Sequence, residues 1–65
     1  MESIELNNKV YYWEKNKIYH LRRKTLRVIK SFNSYINGIS VGRDVLYVFL
    51  SGGSVYLLEG EELHD

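Results

Sequence analysis

Six consecutive apolar residues, Val45-Leu46-Tyr47-Val48-Phe49-Leu50, run straight into Ser51-Gly52-Gly53-Ser54. Alternate residues of a strand point to opposite faces, so this run makes both faces apolar. The two glycines supply positive φ without strain, and Ser54 to Leu58 returns the chain as a second strand. The run is far shorter than the ~18 apolar residues of a membrane helix. A strand of this kind must be covered on both sides. A single sheet cannot do that for itself, so it must curl into a small barrel, pack on a second sheet or pack on another copy.

The rest of the chain reads the same way. Strands are predicted at Val10–Trp13, Lys17–Leu21, Thr25–Phe32, Ile39–Val41, Val45–Leu50 and Ser54–Leu58. Lys15-Asn16, Arg22-Arg23-Lys24, the Asn33–Gly38 region and Gly42-Arg43-Asp44 are the turns between them. In the third strand, alternation puts Leu26, Val28 and Phe32 on one face, with Arg27 and Ile29 on the other. In the first, Val10 and Tyr12 oppose Tyr11 and Trp13. A helix competes only over residues 22–30, where β-branched Val28 and Ile29 favour strand. Tyr occurs six times and Val plus Ile eleven times, while Ala, Gln and Pro are absent, which favours strand throughout. The expectation is an all-β domain over residues 1–65: about six antiparallel strands in a meander, as a propeller-blade-like sheet or a small closed barrel. Residues 1–8 and 59–65 are expected to be frayed or polar ends.

The chain also repeats itself. Val10 to Leu21 aligns with Leu46 to Leu58 once one glycine is inserted, which places Ile18-Tyr19 on Val55-Tyr56. Lys17-Ile18-Tyr19-His20-Leu21, Lys24-Thr25-Leu26-Arg27-Val28-Ile29, Asn37-Gly38-Ile39-Ser40-Val41, Asp44-Val45-Leu46-Tyr47-Val48 and Gly52-Gly53-Ser54-Val55-Tyr56-Leu57-Leu58 follow one another. Over Val10 to Glu59 this order resembles β-propeller repeats of the quinoprotein or surface-layer type. The resemblance implies a binding scaffold and no particular reaction. A propeller closes with about 4–8 blades, and this chain carries roughly one and a half. The resemblance therefore implies that several chains assemble, or that the sheet closes differently.

A chain of 65 residues buries only about 60% of its unfolded surface and needs a staple. Cysteine is absent, which excludes disulfides, thiolate metal sites and a cysteine nucleophile. His20 and His64 stand in no metal-ligand spacing, and no cofactor signature is present. Self-association is then the expected staple, and a homo-oligomer, by default a two-fold dimer, is the expected state. Acids near the start, Glu2 and Glu5, stand where a secretory leader would be basic, so the expected location is cytoplasmic and off the membrane.

Neither histidine sits in a catalytic motif, and Ser51-Gly52-Gly53-Ser54 lacks the lysine of a phosphate loop, so no enzyme is expected. His20, on the side of Ile18, reads as a partly buried strand residue. What the sequence does carry is segregated charge. Eight basic residues and no acid fall between Lys15 and Arg43, although the net charge is only +1. Two binding functions follow. In the first, the chain is a non-enzymatic assembly or protein-binding module with Trp13 and Tyr35 as aromatic anchors. In the alternative, Arg22, Arg23, Lys24 and Arg27 contact a nucleic acid beside aromatic stacking platforms. The two separate on whether the basic residues share one solvent face with the aromatics.

Overall fold

The computed structural model describes residues 1–59. They form seven strands: β1 (Glu2–Leu6), β2 (Lys9–Glu14), β3 (Lys17–Arg22), β4 (Thr25–Ser31), β5 (Ile36–Val41), β6 (Val45–Leu50) and β7 (Val55–Glu59). Every pairing is antiparallel and joins consecutive strands. They make two open sheets, a four-stranded β1-β2-β3-β4 and a three-stranded β5-β6-β7. The chain is all-β as its composition requires, and residues 22–30 are strand and turn. The strands number seven, and they divide between two packed sheets rather than closing one barrel.

The added strand is β1, where polar ends were expected. Its acids conceal an alternation: Ile4 lies opposite Tyr11, and Leu6 is buried. Asn7 and Asn8 turn the chain into β2 with φ of 53° and 65°. Asn tolerates that left-handed conformation better than most side chains. Strand β5 starts at Ile36, earlier than the predicted Ile39, because Asn37-Gly38 forms a register shift within the strand rather than a turn.

A second irregularity corrects the faces of β4. Ile18 pairs with Lys30 and Tyr19 with Val28, which leaves Ile29 as an extra residue. Such a bulge resets the alternation beyond it. Leu26 and Val28 therefore stay together on the outer face. Ile29 and Phe32 both pack against the core, although simple alternation had placed Phe32 with Leu26.

The core lies between the sheets. Leu6, Tyr11 and Ile18 from the four-stranded sheet meet Ile36, Leu46, Val48 and Leu58 from the other. Ile4, Trp13, Ile29, Phe32, Ile39, Leu50 and Tyr56 close its margins. The Phe32 and Tyr56 rings meet edge-on at 5.2 Å, with the Lys30 ammonium 4.8 Å from the Tyr56 centroid.

The crossover between sheets is pinned at the β2–β3 turn. The Phe32 N–H donates to the Asn16 carbonyl at 2.9 Å, and the Asn16 side-chain amide donates back to the Phe32 carbonyl at 2.9 Å. The Ile36 N–H donates to the Lys15 carbonyl, and the Ser51 N–H to the Tyr35 carbonyl. Strand β6 leaves through Gly52 and Gly53, each at φ 95°, as the hairpin signal required.

Candidate functional site

Each sheet buries one face and leaves the other open. The open face of the four-stranded sheet carries Val10, Tyr12, Tyr19, Leu21, Leu26 and Val28, brought together by the pairs Tyr12–Tyr19, Tyr19–Val28 and Leu21–Leu26. Val10, Leu21, Leu26 and Val28 are 41% to 49% exposed. The open face of the three-stranded sheet carries Tyr47, Phe49, Val55 and Leu57, paired Tyr47–Leu57 and Phe49–Val55. Phe49, Val55 and Leu57 are 42% to 52% exposed. Tyr47 is less exposed because its ring lies over Gly42, where an added Cβ would come within 3.2 Å of Cζ.

The apolar run Val45–Leu50 is therefore covered on one side only. Leu46 and Val48 are fully buried, while Phe49 on the opposite side stays open. Large contiguous apolar patches are uncommon on monomers and mark interaction surfaces. Sequence reasoning had selected anchors by residue type and missed these side chains. Their signal was present in the alternation of β2, β3, β6 and β7.

The six residues singled out from sequence fall into separate groups. Arg22, Arg23, Lys24 and Arg27 are all exposed and cluster at the β3–β4 hairpin. Trp13 is half-buried and packs against the core, so it is not an exposed anchor. Tyr35 is exposed, in the crossover beside the Lys15–Asn16 turn. That turn lies at the other end of β3, about 17 Å away over the rises from Lys17 to Arg22 at ~3.3 Å per residue. The aromatics of the open face, Tyr12 and Tyr19, share it with Glu5, Glu14 and Lys17. Arg27 pairs with His20 and belongs to the opposite face. The basic cluster of the β3–β4 hairpin and the open-face aromatics are thus not on one surface.

Arg23 and Lys24 carry a further feature. Both have positive φ, 50° and 66°, in a two-residue turn that Asn-Gly would make without strain. Left-handed backbone costs a side chain of this kind roughly 1 kcal/mol.

His20 is partly buried, with its ring centroid 5.2 Å from that of Tyr11. An open cleft of about 310 Å³ lies beside β6 and β7, lined by Arg43, Asp44, Val45, Leu57 and Glu59. The side-chain amide of Asn7 donates to Asp44 Oδ1 at 2.6 Å and ties the β1–β2 turn to this rim. The cleft is a surface groove that adjoins the open face of the three-stranded sheet. His64 and the acidic tail beyond Glu59 lie outside the described residues. Comparison with known protein families, characterised proteins and solved structures finds no match to this chain.

Proposed function

We propose that this chain is a non-enzymatic assembly module that works by self-association through its two open sheet faces. The observation that carries the reading is the half-exposure of large apolar side chains on both sides of a two-sheet body, Val10, Leu21, Leu26 and Val28 on one and Phe49, Val55 and Leu57 on the other. Covering what remains exposed of each is worth about 1 kcal/mol, before the cost of association is subtracted. The small size supports the same conclusion. Among the described residues seven side chains form the buried core and only four of them are fully buried, which is a thin basis for a lone domain. Sedimentation over a wide concentration range tests the proposal. A mass of several chains is the expected result, and one chain at every concentration would overturn it.

A second reading, nucleic-acid binding, is supported by one observation. The strained hairpin positions are basic, Arg23 and Lys24, and Arg22 and Arg27 flank them. Strain is retained where surrounding demands outweigh it, and an anion contact is one such demand. The assembly reading is the stronger because the open-face aromatics lie elsewhere. Titration with single- and double-stranded oligonucleotides at low and moderate salt separates the two. Binding that falls steeply with salt, and is lost when Arg22, Arg23 and Lys24 are neutralised, would establish the second reading. No binding at low salt would remove it.

A further inference from the structure

The internal repeat and the sheet packing together say which face meets which. Aligned through the repeat, Tyr11, Trp13, Ile18 and His20 correspond to Tyr47, Phe49, Val55 and Leu57. By the same alignment Val10, Tyr12, Tyr19 and Leu21 correspond to Leu46, Val48, Tyr56 and Leu58. The strand registers agree. Tyr11–His20 and Tyr12–Tyr19 are cross-strand pairs in one sheet, and Tyr47–Leu57 and Val48–Tyr56 are their counterparts in the other.

The four-stranded sheet buries its first set, with Tyr11 and Ile18 at the centre of the core. The three-stranded sheet buries its second set, Leu46, Val48, Leu58 and the partly covered Tyr56. The interface inside the chain therefore joins unlike faces of two similar sheets. What it leaves open is the second set of the four-stranded sheet and the first set of the three-stranded sheet. Those are the same two kinds of face that already pack together within the chain.

We infer that copies of this chain associate head to tail, the open face of the three-stranded sheet in one copy packing on the open face of the four-stranded sheet in the next. This rests on the self-association proposed above and specifies its geometry. The contact is heterologous, not the two-fold contact that small homo-oligomers most often use, and it repeats until it closes a ring or runs on as a filament. The correspondence is weakest on the outer strands. Ser3 and Glu5 stand in β1 where Ile39 and Val41 stand in β5, as their pairs with Tyr12, Val10, Val48 and Leu46 show. The interface is accordingly centred on β2, β3 and β4 of one copy and β6 and β7 of the next.

Two variants with one blocked face each test this. One carries Leu21→Glu and Val28→Glu, the other Val55→Glu and Leu57→Glu, all at half-exposed positions. Trp13 packs against the core rather than at either open face, so its fluorescence verifies that each variant is folded. Each variant alone is expected to sediment as a single chain, with association weakened at least tenfold. An equimolar mixture is expected to form a two-chain complex and nothing larger, because each partner supplies one intact face. If one variant alone keeps the wild-type association and mixing adds nothing, the contact joins like faces. Self-association then stands and the head-to-tail geometry is overturned. Wild-type association in both variants overturns both ideas, as does a wild-type protein that is a single chain throughout.

Discussion

The hairpins β2–β3 and β6–β7 are built to one residue pattern and bury opposite sides of it. Ile18 is fully buried, and its counterpart Val55 is 48% exposed. Leu58 is buried, and its counterpart Leu21 is 44% exposed. Residue type does not account for the difference, since both members of each pair are aliphatic. Position in the stack does. Each sheet buries whichever face has a neighbour, and the unburied face of each keeps large apolar side chains. Apolar character along a strand therefore reports that a face can be covered, and only the packing shows whether it is.

The largest test of this contrast is a pair of truncations. Ile18→Ala removes a fully buried side chain and should cost about 3 kcal/mol of folding stability. Val55→Ala should cost under about 1 kcal/mol in dilute protein, where its face is open. Denaturant unfolding of both variants at low concentration checks the asymmetry, and equal losses would break it. A repeat at high concentration sharpens it, since Val55→Ala should then also weaken association.

A smaller effect is expected where the two sheets are joined. Asn16→Ala leaves the part-buried Phe32 carbonyl without its side-chain donor and should cost about 1 kcal/mol. Amide hydrogen exchange should show the loss at the crossover first, with protection in the centre of each sheet retained. Uniform loss across both sheets would mean that the crossover is not the weak joint between them.

The smallest effect has the opposite sign. Arg23→Asn with Lys24→Gly relieves two left-handed backbone positions and should stabilise the chain by about 1 kcal/mol. The Asn7–Asn8 turn, at the same end of the four-stranded sheet between β1 and β2, serves as the relaxed reference, because Asn already suits it. No gain in thermal unfolding would mean that Arg23 and Lys24 make compensating contacts in the folded state.

Much of the fold was legible in the sequence because strand alternation and turn residues act locally. The strands from Lys9 to Ser31 and from Val45 to Glu59 follow from β-branched and aromatic runs broken by turn residues. Strand β1 was hidden because Glu2 and Glu5 mask two inward apolar residues, Ile4 and Leu6. The start of β5 was hidden because Asn37-Gly38 is also a turn signature. The bulge at Ile29 has no local signature, and it reverses the face of Phe32. At the site, the basic hairpin was visible as a run. That β2 and β6 are apolar on both faces was legible too, but which face stays open was not, because that depends on the neighbouring sheet. Trp13 shows the limit: an aromatic of the type that anchors interfaces is held against the core.

The meander bears on how the chain comes together in time. Every strand pairs with its predecessor or successor in sequence, so each hairpin zips across a short loop at little entropic cost. Such local pairing lowers the contact order and shortens folding times for an all-β chain. The step that no short loop closes is the docking of one sheet on the other, which brings Leu6, Tyr11 and Ile18 onto Leu46, Val48 and Leu58. Until it occurs, both faces of both sheets are uncovered. A neighbouring chain then presents the same kind of surface as the partner sheet within the chain, so yield on refolding should fall as protein concentration rises, through exchange of sheets between molecules.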